Sequence, residues 1–176
     1  MTQRRLDRLS RKQLQALLDV SLKDFRTVDG LWFVGVEKRF GTQLATEVDR
    51  EAWEWLGRRN AYRLKEALGL NEGGLPDLVK ALEFDPCLSM NDYEVASVSD
   101  RQAVFRCKVC YSQTERTKAG KALFDCRSVD EAYFKSFAQT IDPGIHVRCD
   151  FCPPPRRTGD LWCQWSFEKG LPEITR

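Results

Sequence analysis

Seven cysteines and one histidine in a chain of 176 residues are the side chains best equipped for chemistry. Four of the cysteines form two pairs, Cys107-x-x-Cys110 and Cys149-x-x-Cys152. Two such pairs are the ligand pattern of a tetrahedral thiolate site, the coordination zinc prefers. The gap between them is longer than the roughly 15–20 residues of a compact zinc ribbon. Cys107-Lys-Val-Cys110 also lacks the Pro or Gly that helps a tight knuckle form, and in a continuing strand its thiols would face opposite sides. The expected metal ligands are therefore Cys107, Cys126, Cys149, Cys152 and Cys163, ahead of Cys110 and Cys87, with zinc before iron–sulfur. Two other readings stay open. The thiols are buried apolar filler, the usual state of free cysteine, or one of them is a nucleophile. Cys126 lies two residues before Ser128-x-x-Glu131, a helix start whose positive dipole end favours thiolate. His146, the sole histidine, lies three residues from Cys149 and points to the other face of its strand, which argues against a Cys–His dyad.

Those cysteines need strands and helices to hold them. Tyr93 to Val98, Ala103 to Val109, Ile145 to Phe151 and Leu161 to Phe167 alternate as strands, the first two joined by a Ser99-Asp100-Arg101 turn. Phe105 and Cys107 share the apolar face of their strand, as do Val147 and Cys149, and Cys163, Trp165 and Phe167. If those strands are neighbours, Cys107, Cys149 and Cys163 converge. A helix carrying Tyr133, Phe134, Phe137 and Ile141 covers them.

Residues 1 to 85 read as helices. Ser10-x-x-Gln13 is a capping box opening one through Leu22, a second spans Phe25 to Gly41, a third Thr42 to Gly69 and a fourth Leu75 to Leu82. Their Trp and Phe stripe is expected to face the core. The fold class is thus α+β: an N-terminal helical layer packed with an antiparallel sheet of about four strands and a covering helix. Residues 1–176 are expected to form a single domain, with a helical half over 1–85 and a cysteine-rich half over 86–176. Glu47, Glu51 and Glu54 share a helix face with Arg58, where a salt-bridged solvent face is expected over acid–base work. Arg116, Lys118, Lys121, Arg156 and Arg157 fall in two loops and could meet an anion, with plain surface charge expected.

Composition limits the partners. A net charge of +2, with both signs mixed along the chain, gives no concentrated basic face for nucleic acid. No stretch reaches the roughly 18 apolar residues of a membrane span. The charged start Met1–Asp7 is not a secretory signal. An odd cysteine count and that start point to a reducing, cytoplasmic compartment.

Asp29-Gly-Leu-Trp-Phe33 with Val36-Glu-Lys-Arg-Phe-Gly41 resembles the N-terminal signature of an uncharacterised family of small prokaryotic cytosolic proteins. Phe124-x-Cys126, Tyr133-Phe-Lys-Ser-Phe-Ala138, Ile141-Asp-Pro143, Cys149-x-x-Cys-Pro153 and Trp162-Cys-x-Trp165 extend the resemblance. That family looks related to the L-2-amino-thiazoline-4-carboxylic acid hydrolase-like proteins, and its C-terminal layout is similar to the 4-vinyl reductase type of small-molecule-binding domain. The resemblance implies a pocket near Cys107, Cys126, Cys149 and Cys163, with Trp162 and Trp165 around the last. The expected function is binding or sensing of a small molecule or metal at a cysteine-lined site. Trp162, Trp165, Phe105 and Phe137 are the expected ligand contacts, and a homodimer is open. The alternative is a hydrolase of C–N or thiazoline-type bonds, with Cys126 or Cys149 as nucleophile or a cysteine-bound zinc activating water.

Overall fold

The computed structural model describes residues 3–154 and 159–170. After a helical turn α1 (Gln3–Leu6), Ser10 opens the longest element, α2 (Arg11–Phe40). The Ser10 hydroxyl accepts from the Gln13 amide at 3.3 Å and the Gln13 side chain accepts from the Ser10 amide at 2.9 Å. This reciprocal pair satisfies two backbone donors that a helix start leaves open. The two helices expected over this stretch are one, because no proline or turn residue stands between Leu22 and Phe25. Gly41 ends α2 at φ 86°, a left-handed conformation that favours glycine, and reverses the chain into α3 (Thr42–Leu68). α4 (Gly74–Glu83) and a 3-10 turn at Leu88–Met90 lead into the sheet half.

There the elements are β1 (Asp92–Val98), β2 (Gln102–Val109), α5 (Tyr111–Lys118), α6 (Arg127–Ile141), β3 (Ile145–Phe151) and β4 (Cys163–Lys169). The sheet order is β1-β2-β4-β3 and every neighbouring pair is antiparallel, so the protein is α+β as the sequence pattern predicts. The period of two puts Ala103, Phe105 and Cys107 of β2, and Cys163, Trp165 and Phe167 of β4, on one buried face. In register, Cys107 stands opposite Cys163 and Phe105 opposite Trp165. α6 lies on that face, its Phe134 ring 5.2 Å from Trp165 and 5.5 Å from Phe167.

α3 crosses the outer side of α6 at Gly57. A Cβ there would collide with Ser136 Oγ and stand 2.6 Å from the Tyr133 carbonyl oxygen. Gly57→Ala is therefore expected to lose about 1 kcal/mol, because overpacking outweighs the alanine's gain in helix propensity. Urea denaturation measures it; an unchanged or higher midpoint would show that the two helices separate without strain.

Three further expectations fail here. The aromatic stripe of the helical half is not core: Trp32, Trp55 and Tyr62 are exposed by 64%, 57% and 62%. α2 buries no residue. The basic stretch holding Arg116 and Lys118 is helix α5, not loop, while Lys121 follows it. Finally, Ser128 does not cap α6. Cys126 holds that position without a side-chain cap bond, and Ser128 lies inside the first turn. Arg156 and Arg157 lie outside the described residues. No helix among the described residues is long and apolar enough to cross a membrane.

Candidate functional site

A few contacts hold α2 to the rest of the protein. Phe33 meets Phe124 edge-on with centroids 4.8 Å apart, Phe25 meets Trp53 at 6.3 Å, and the Arg26 guanidinium stacks 4.0 Å above the Tyr111 ring. Glu37 receives Arg116 at 2.9 Å and Lys121 at 2.6 Å. Under this helix lies a cavity of about 420 Å³, within the usual range for small-ligand sites. Its wall combines Phe33, Trp53, Tyr93, Tyr133, Phe134 and Trp162 with the thiols of Cys87, Cys110, Cys126 and Cys163.

Four carboxylates line it, beside the cations Arg26, Arg116 and Lys121. Glu115 pairs with Lys118, and the other three are Asp29 of α2, Asp49 of α3 and Asp130 of α6. Asp29 and Asp49 share the Trp53 indole as hydrogen-bond partner. Among the described residues no Lys or Arg makes an ion pair with any of the three. Burial, which penalises the charged form, raises all three pKa values. Asp49 is pushed up to about 7 by burial and by the nearby charge of Asp29, and Asp130 to about 7 by burial above all.

Six thiols gather in two groups of three beside this space. In the inner group the Cys107 thiol contacts Cys110 and Cys163. β2 stops at Val109, so Cys110 starts α5 and its side chain turns back to Cys107. The expectation that this pair would face opposite ways assumed a strand that continues. The Cys107 thiol, the backbone amides of Gln113 and Ser112 hold the Cys110 pKa below the usual thiol range, against burial. Trp162 is placed by its backbone amide, which donates to the Cys107 carbonyl oxygen at 2.8 Å.

In the outer group, Cys126 and Cys149 both donate to Cys152, and Arg127 adds its guanidinium. These hydrogen bonds favour the thiolate at Cys152, whose pKa falls, and the neutral thiols at Cys126 and Cys149, whose pKa values rise. Cys126 is fixed by Gln113, a fully buried side chain. Gln113 donates to the Phe124 carbonyl oxygen at 2.7 Å, accepts from its amide at 3.0 Å and reaches Cys126 Sγ at 3.9 Å. All seven cysteines are free thiols. Among the described residues, no three His, Cys, Asp or Glu side chains are arranged to hold a metal ion.

Of the expected ligand contacts, Trp162 is at the cavity wall. Trp165, Phe105 and Phe137 are buried at 0%, 2% and 0% exposure in the core behind it. The expected ligands Cys107 and Cys163 fall in the inner group, with Cys126, Cys149 and Cys152 in the outer. His146 is exposed opposite Glu168, away from both. Glu54 pairs with Arg50 and Arg58 on the surface, and Glu47 and Glu51 are exposed beside it. The three cavity aspartates escaped the sequence reading, although a signal existed. Each precedes an aromatic by four residues, Asp29–Phe33, Asp49–Trp53 and Asp130–Phe134, which places an acid and a ring on one helix face.

Residues 7–169 match the family model described as a family of unknown function, DUF6125, and the chain belongs to that family. No curated protein and no solved structure matches it.

Proposed function

We propose that this DUF6125 member binds a small, partly aromatic molecule carrying a protonated amine, seated in the cavity beneath α2. The observation that carries the reading is the trio Asp29, Asp49 and Asp130, facing an aromatic-walled space without an ion-pair partner among the described residues. Carboxylates partly withdrawn from water are costly to ionise unless paired, and an ammonium group would pair these half-buried ones. The faces of Trp53, Tyr133 and Phe33 supply further attraction for a cation. The ionised carboxylates are the binding form, so affinity should rise as pH climbs through about 7.

Tryptamine, phenethylamine and benzylamine are suitable probes, with indole-3-acetate as the charge-inverted control. At least one amine is expected to raise the unfolding temperature at pH 8 more than at pH 6, and to lose that effect in Asp49→Asn. At one hundred times Kd the stabilisation is about 2.7 kcal/mol. No response to any amine, or an equal response to indole-3-acetate, sinks this reading.

A second reading, zinc or iron–sulfur held by thiolates, is supported by the gathering of six cysteines on adjoining elements. It requires the side chains to rearrange from their present contacts, and elemental analysis of the purified chain tests it. The sequence resemblance to the thiazoline-carboxylate hydrolase-like proteins suggests a third, hydrolysis at C–N or thiazoline-type bonds. There Cys110, a thiol at the cavity wall with a depressed pKa, is the nucleophile that geometry favours over Cys126 or Cys149.

A further inference from the structure

α2 carries two separate stripes. Its half-buried side chains Leu22, Arg26, Asp29, Phe33 and Glu37 follow one face, toward the body. A second stripe, about a quarter-turn round the helix, holds Leu14, Leu18, Phe25, Val28 and Trp32, exposed by between 38% and 67%. This second stripe has the spacing of a coiled-coil seam. Leu18, Phe25 and Trp32 stand seven residues apart, as do Leu14, Ser21, Val28 and Gly35, and the two series alternate at steps of four and three. No charged residue falls in either series from Leu14 to Gly35. The start of the helix is barer still, because every residue from Arg11 to Ser21 is exposed. A lone helix of that length is marginal in water, since packing of an apolar face supplies most helical stability.

We propose that a second copy of this chain covers the seam, the two α2 helices pairing antiparallel across a two-fold axis along Leu14, Leu18, Phe25, Val28 and Trp32. None of these residues lines the cavity, so the pairing stands apart from the amine-binding reading.

Side-chain size and area identify the occupant. The Leu18, Phe25, Trp32 series is large, whereas the other series holds Ser21, Val28 and Gly35. Reversing one helix against the other sets each series opposite its complement, so that large side chains fill the space small ones leave. In a parallel pair Trp32 would meet Trp32 and Ser21 would meet Ser21, overfilled and empty by turns. A surface that complements itself through a two-fold axis fits another copy of the same chain. With the flanking Leu17 and Leu31, the seam offers roughly 700 Å² of apolar surface per copy, taking about 150–250 Å² for a whole large side chain. One side of a standard interface buries about 800 Å², and a monomer's largest apolar patch is about 300–600 Å².

Sedimentation velocity on the full chain is the first test, and at about 50 μM it should show a dimer. Leu18→Glu and Trp32→Glu place a charge in the seam and should each weaken pairing by about a hundredfold or more. Both side chains are exposed in the single chain, so each variant should still unfold cooperatively. Phe25, which meets Trp53, is left unaltered. A mixture of Leu18→Glu and Leu18→Lys chains should stay monomeric, because antiparallel pairing keeps the two positions 18 apart. Hydrogen exchange needs no variant: the amides of Arg11 to Ser21 should slow in the wild type as concentration rises. A wild-type monomer, or any assembly other than a dimer, overturns the proposal. So does a dimer that both glutamate variants leave intact, or exchange over Arg11 to Ser21 that ignores concentration. Pairing restored by the mixed Leu18 variants would mean parallel helices and overturns it too.

Discussion

Asp85→Ala is expected to lower the unfolding free energy by about 4 kcal/mol, because three donors converge on that one carboxylate. The Tyr133 hydroxyl donates to Asp85 Oδ2, while Asn60 Nδ2 and the Cys87 amide donate to Oδ1 at 2.7 and 2.8 Å. Asn60 also donates to Tyr133 Oη at 3.0 Å, so the network ties α3 to α6 and to the chain just beyond α4. All of it is buried, Asp85 itself being 1% exposed. A buried donor stripped of its acceptor costs about 1–3 kcal/mol, and alanine strips an acceptor from three. Asn60 keeps Tyr133, which holds the total toward the middle of that range. Asp85→Asn should lose far less, since its amide oxygen still receives Asn60 and Cys87. Burial also raises the Asp85 pKa. With the native pKa above the unfolded one, this group's contribution is full at low pH and is lost as pH rises through the native value. Urea unfolding of both variants at pH 7 separates these cases; equal losses would show that packing, not the hydrogen bonds, sets the cost.

Asp49→Asn should do the opposite and stabilise the unliganded protein by about 2–3 kcal/mol at pH 8. The carboxyl's pKa is pushed from 3.8 to about 7, by burial first and by Asp29 second. A raised native pKa means that stability is full below the unfolded value and is lost as pH rises through about 7. At about 1.4 kcal/mol per unit the full shift from 3.8 to about 7 corresponds to about 4.5 kcal/mol, and partial solvent access to the cavity reduces it. Wild type should therefore weaken between pH 5 and pH 8, with the ionisation of Asp130 acting in the same sense. The variant should weaken less. Urea midpoints at the two pH values decide it, and a variant that is no more stable at pH 8 would mean that Asp49 is already paired. Its stability gain is expected to accompany loss of amine binding, the usual exchange when a strained site is relieved.

Much of the fold was legible because its signals were local. Ser10 and Gln13 announce the α2 start, Gly41 and Gly69 announce helix ends, and the alternation around Phe105, Trp165 and Phe167 announces buried strand faces. The failures were questions of long range. Periodicity finds an apolar face on α2 but cannot say what covers it, and Trp32 turned out exposed. The same holds at the site. Strand alternation brought Cys107 and Cys163 to one face, where the register sets them opposite each other. It missed Cys110, since the turn that swings its thiol inward depends on β2 ending one residue earlier. It missed Asp29 and Asp49 as a pair because they sit on two separate helices and come together only in the tertiary fold, at the Trp53 indole.

That α2 buries no residue has a kinetic meaning. The roof of the cavity is fastened by ring edges, a stacked guanidinium and the Glu37 ion pairs, none of which belongs to the sheet-and-α6 interior. Raising it breaks those fastenings and leaves Trp165, Phe134 and Phe167 in place. Entry and exit of a guest are thereby separated from global unfolding, so residence time can be tuned at the α2 contacts while thermal endurance is set elsewhere.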